Sequence, residues 1–164
     1  MFKKDYKKGL TAPKKDTDGV QVRDMFQTPA YATDLLIPFI PKDIVNVLEP
    51  ACGSGKISRQ LRKSGYTVFE SDIKHTNPEN VFNFLEDGLR DIPGKFSIIT
   101  NPPFSIKEMF VEKCFEYQVP FALLINADYS QQMCRWIQRG CQKIVPTARI
   151  SYLTPNIVRR VNDK

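Results

Sequence analysis

Apolar residues in this chain fall into runs of five to seven, closed by Gly, Pro, Asn, Asp or Lys, with helically spaced stretches between several of them. Short apolar runs bounded by turn residues predict buried strands. They lie at Ile44–Leu48, Tyr66–Ser71, Val81–Leu85, Phe96–Thr100 and Val119–Ile125, the last read as fully buried. Lys143–Val145 and Arg149–Leu153 are also strand-like. Thr28 as N-cap and Pro29 as first helical residue predict a helix over Ala30–Phe39, finished by Pro38 and Pro41. A second helix is expected over Lys56–Ser64, with Gly65 just past its end. Ser105-Ile106-Lys107-Glu108 matches a capping box and opens a third, running to about Tyr117. A fourth, from about Ser130 to Arg139, sets Met133, Trp136 and Ile137 on one face as packing residues. Strands alternating with helices in this way predict an α/β fold, doubly wound on a mostly parallel sheet.

Composition narrows the class. With 164 residues, 41% hydrophobic and 26% charged, the chain suits one soluble domain with a real core. No apolar run is long enough to span a bilayer. The opening Met1-Phe2-Lys3-Lys4-Asp5 lacks an apolar h-region, so no signal peptide is expected. Cys52, Cys114, Cys134 and Cys141 form no Cys-x-x-Cys pair, which suggests neither zinc nor a disulfide framework and fits a reducing cytoplasm. The lone His75 reads as a loop residue, and no metal is expected.

Charge divides the chain. The six lysines at 3, 4, 7, 8, 14 and 15 (Lys3, Lys4, Lys7, Lys8, Lys14 and Lys15) stand against one acid in residues 1–15, so +5 of the +6 net charge sits there. Residues 1–22 read as a basic tail, solvated or tracking phosphates, and 23–164 as the single domain.

Two features carry chemistry. Asn101-Pro102-Pro103-Phe104 follows a strand and precedes a helix. Prolines fix φ and lack an N–H, so an amide and a ring are held stiffly at a strand's carboxyl end, where open α/β sheets bind ligands. Glu49-Pro50-Ala51-Cys52-Gly53-Ser54-Gly55 turns a strand into a helix, letting a ligand approach closely. Ser58 stands where the third glycine of a dinucleotide fingerprint would be, which argues against classical NAD binding. Asp72 ends the second strand at the spacing of an acid that holds a ribose diol. Asn83, Asn126 and Asp128 also fall at strand ends.

Taken in order, Gln27-Thr28-Pro29, the glycine turn, Asp72, Asn83-Phe84-Leu85 and Asn101-Pro102-Pro103-Phe104 resemble class I methyltransferases that use S-adenosyl-L-methionine. More narrowly they resemble phage-type amino methyltransferases that make N6-methyladenine in DNA. The resemblance covers about residues 20–155, and the two main motifs lie about 46 residues apart. It implies a Rossmann-like fold. It also implies that Gln27, Thr28 and Pro29 hold the methionine part of the cofactor, with Glu49, Ala51, Cys52, Gly53 and Gly55 as the methionine-binding loop. Asp72 would then take the ribose, Phe84 would pack beside the adenine ring, and Asn83 stands where the family usually has an aspartate for the adenine amine.

In the same scheme Asn101 and the Pro102 carbonyl accept the two N–H bonds of the target amine, Pro103 stiffens the clamp, and Phe104 stacks on a flipped base. Only Ile157–Val161 remain for the last strand of the family's terminal antiparallel pair, so a truncated chain or an incomplete sheet is expected there. There is no room for a separate target-recognition domain. Two other readings stay open. One keeps the fold and methylates RNA adenine or a protein glutamine amide; the other is a non-catalytic remnant that binds the cofactor or nucleic acid.

Overall fold

The computed structural model describes residues 27–126 and 129–152. Strands β1 (Asn46–Glu49), β2 (Thr67–Glu70), β3 (Phe96–Thr100) and β4 (Phe121–Leu123) form one sheet in the order β2-β1-β3-β4, and every pairing is parallel. Around them lie helices α1 (Ala30–Asp34), α2 (Lys56–Lys63), α3 (Lys107–Tyr117) and α4 (Gln131–Gln138). The fold is α/β.

A strand buried on both faces needs apolar residues at successive positions. Val47 and Leu48 in β1 are both fully buried, and they belong to different cores. Val47, Val68 and Ile99 pack with Ile57 and Leu61 of α2 on one face. Leu48 and Ile98 pack with Phe84 and with Phe110 and Cys114 of α3 on the other. Each fully buried aliphatic side chain of this kind contributes about 1.5–3 kcal/mol, so Leu61→Ala would open a cavity under α2. A third cluster joins α4 to α3 through Met133, Trp136 and Val111. There the Trp136 indole N–H donates to Glu112 (3.1 Å), Arg139 pairs with Glu112 (2.6 Å), and Arg139 stands 3.6 Å from the Phe115 ring centre.

Several predicted elements keep their place and change their extent. β3 spans the expected Phe96–Thr100, and α3 ends at Tyr117 as expected. Ser130 caps α4 by accepting the Met133 N–H at 3.2 Å. The expected first helix is split: α1 stops at Asp34 and a 3-10 turn, Ile37–Phe39, follows. Pro29, not Thr28, is its N-cap, so no hydroxyl caps it. The capping box at Ser105 gives way to a 3-10 turn, Phe104–Ile106, and α3 begins only at Lys107 without a side-chain cap. The third predicted strand shrinks to one parallel bridge, Asp72 with Val81, because the chain turns directly after Asn83.

β4 is three residues long and only partly buried, since no further strand covers its outer edge among the described residues. Ile137 is 46% exposed rather than packed with Met133 and Trp136. Residues 141–152 form no strand. The lysines of 1–15, Asp128 and the segment after Tyr152 lie outside the described residues. No helix among the described residues is long and apolar enough to cross a membrane.

Candidate functional site

β2 and β3 flank β1 on opposite sides, so the chain leaves the carboxyl ends of β1 and β3 in diverging directions. That divergence opens a crevice, the place where parallel α/β sheets bind ligands. Counted out to its open mouth, the cleft holds about 450 Å³. Gln27 and Thr28 line one wall. Glu49, Ala51, Cys52 and Gly53 supply the floor from the end of β1, and Asp72 comes from the end of β2. Asn101 and Pro103 arrive from the end of β3. Nine residues singled out in the sequence thus meet in one cleft, although they span positions 27 to 103.

The loop between β1 and α2 is shaped by two left-handed glycines, Gly53 (φ +52°) and Gly55 (φ +68°). Gly55 is the N-cap of α2 and has no side chain to cap it with. A Cβ on Gly55 would lie 3.4 Å from both Arg59 Nη1 and Glu70 Oε2. The loop is fastened from outside. The Gln27 Oε1 accepts both the hydroxyl and the backbone N–H of Ser54. The Asp72 carboxylate accepts the Gly53 N–H (2.9 Å) through one oxygen and the Lys74 N–H (3.0 Å) through the other.

Glu49 is 1% exposed and hydrogen-bonded to the Ser58 hydroxyl. Burial pushes its carboxyl up to about 8, so it is neutral at pH 7. Beside it the Cys52 thiol is raised to about 12, by burial first and then by Glu49 and Asp72; it is no nucleophile. Behind them Arg62 pairs with Glu70 at 3.0 Å.

Asn101 differs from its neighbours. Its side-chain oxygen is buried and has no hydrogen-bond partner. A buried acceptor left unmatched costs about 1–3 kcal/mol, and a ligand donor entering the cleft would recover it. Pro102, fully buried, and Pro103 hold this amide from the following residues.

Besides Gly55 and Pro102, four expected residues do not line the cleft. Phe84 is 1% exposed in the core, its ring stacked on Phe110 (5.2 Å) and edge-on to Tyr117 (5.5 Å), rather than at the cleft. The Asn83 Oδ1 accepts the Leu85 N–H at 3.1 Å and is spent on closing the following turn. Pro29 is buried at the start of α1. Phe104 stands beside the cleft, its ring meeting Tyr152 edge-to-face at 6.0 Å. Burial raises the Tyr152 phenol above its usual range, and the Tyr31 hydroxyl accepts the Ser151 N–H at 2.8 Å.

Sequence reasoning missed Lys56, Ile57 and Tyr152. The first two line the cleft and could have been found, because the opening turn of α2 directly follows Gly55. Tyr152 lies 48 residues beyond Phe104 and carries no local signal. Compared with protein-family models, curated proteins and solved structures, the chain finds no match.

Proposed function

We propose that this protein is a class I, Rossmann-like methyltransferase of phage type that transfers a methyl group from S-adenosyl-L-methionine to the exocyclic N6 amine of adenine in DNA, in the cytoplasm. The observation that carries this reading is the buried, unpartnered Asn101 oxygen, which shares one cleft with the glycine loop and Asp72. The donor set fits the cofactor. Asp72 and Asn101 offer acceptors, while the Gln27 oxygen and Glu49 are already taken by Ser54 and Ser58. S-adenosylmethionine brings donors in its ribose hydroxyls and ammonium. The single parallel bridge at Val81 also continues the sheet order on the β2 side, where this fold carries a further strand.

S-adenosylmethionine would supply an electrophilic methyl on a sulfonium: as the N–C bond forms the S–C bond breaks, S-adenosylhomocysteine leaves, and one amine proton passes to water. In the proposed chemistry Asp72 accepts from the ribose, and Gln27 and the loop hold the methionine end. The Asn101 oxygen and the Pro102 carbonyl each accept one N–H of the adenine amine. That draws its lone pair out of ring conjugation and aims it. The stiff diproline keeps this clamp from wandering, and rate comes from position and charge. Phe104 offers its ring to an unstacked base once Tyr152 yields.

The test is direct. Methyl-labelled S-adenosylmethionine is incubated with the full chain and with DNA, RNA or protein extract, and the labelled product is identified after digestion. Label in N6-methyldeoxyadenosine supports the proposal. Label in RNA or in a protein amide keeps the cleft and changes the acceptor, and cofactor binding without any transfer overturns the enzyme.

A further inference from the structure

Among the described residues that line the cleft one is cationic, and neither composition nor motif pointed to it. Lys56 is the first residue of α2, directly after the left-handed N-cap Gly55, and it lines the same cleft as Glu49 and Asp72. It has no hydrogen-bond or ion-pair partner among the described residues. The nearby acids are already engaged. Both Asp72 oxygens accept backbone N–H groups, and Glu49 is bonded to Ser58. The N-cap Gly55 has no side chain to cap α2, and the buried Glu49 carboxyl takes the Ser58 hydroxyl and backbone N–H of its first turn. A cleft lined by the unpaired Lys56 together with the acceptors Asp72 and Asn101 is matched by a ligand that brings donors and carries one anionic group.

We propose that Lys56 takes the carboxylate of the bound cofactor, so that the cleft selects an adenosyl compound with an intact amino-acid end over one lacking the carboxylate. This rests on the cofactor reading above. It adds a specificity residue to the site: Asp72 and Asn101 take donors, and Lys56 takes the anion. No bond to Lys56 is made or broken.

The experiment is calorimetric titration of the full chain with S-adenosylhomocysteine and, separately, with 5′-methylthioadenosine, which lacks the amino-acid end. Wild type is compared with Lys56→Gln and Lys56→Arg, after thermal melts confirm that both variants fold. One charge-assisted contact at a partly exposed site predicts that Lys56→Gln weakens S-adenosylhomocysteine about tenfold, leaves methylthioadenosine within about twofold, and is rescued largely by arginine. Equal weakening of both ligands, or of neither, overturns the role of Lys56 and leaves the cofactor reading standing. A wild-type protein that binds neither compound overturns both.

Discussion

β1 and β3 lie side by side, run the same way and end at the same cleft, yet they leave the sheet by opposite means. β1 enters a loop with two left-handed glycines, whose amides and flanking acids are held by Gln27, Asp72 and Ser58. β3 enters two prolines that offer no N–H, and it leaves the Asn101 oxygen buried and unmatched. The first exit is complete in itself. A ligand hydroxyl reaching Asp72 meets a carboxylate that already accepts one N–H on each oxygen, so it adds to a group that is satisfied without it. The second exit is short of one donor, so a ligand N–H there gains outright. In the proposed reaction, selectivity for the acceptor group would therefore be concentrated at Asn101, with the glycine loop supplying shape.

The sharpest way to break this contrast is Asn101→Ala. Loss of one preorganised acceptor is expected to lower labelled methyl transfer about a hundred- to thousandfold. Cofactor affinity should move by less than about threefold, and the melting temperature should not fall, because an unsatisfied buried oxygen is removed. Full activity in that variant would sink the proposed mechanism.

Next in size is Gly55→Ala. A left-handed φ of +68° costs a non-glycine residue about 1–2 kcal/mol, read from urea unfolding. Gly88→Ala is the control, with φ +87° and nothing within 4 Å of an added Cβ. Both should lose stability similarly, and only Gly55→Ala should weaken cofactor binding. If both spare binding, the loop does not shape the cleft.

The last effect is a slope, gradual in pH rather than a step. The folded Glu49 carboxyl holds its proton up to about 8, against 4.5 when unperturbed. Between those values the unfolded chain ionises while the folded one does not. The stability from the neutral carboxyl is thus full below about 4.5 and lost as pH rises towards 8. The decline is at most about 1.4 kcal/mol per pH unit. Glu49→Gln should flatten the pH dependence of unfolding between those limits, and an unchanged slope would show that Glu49 is ionised in the fold.

How much of this was legible in the sequence depended on range. β3 was readable because its apolar run is bounded by Lys95 on one side and Asn101-Pro102 on the other. The meeting of the glycine loop, Asp72 and Asn101 was readable because parallel strands deliver their carboxyl ends to one edge. The partial burial of β4 was not, since an apolar run does not say whether a neighbouring strand exists. Nor was the turn at Asn83, where a side-chain oxygen competes with strand pairing for the Leu85 N–H. Phe84 looks alike as a cofactor wall or as core until Phe110 and Tyr117 are seen around it.

The Gln27–Ser54 bonds do more than steady a loop. They fix the point from which the lysine-rich first segment leaves: the wall of the cleft itself. Twelve Cα–Cα steps join Lys15 to Gln27, so covalent geometry alone keeps Lys15 within about 43 Å of that wall.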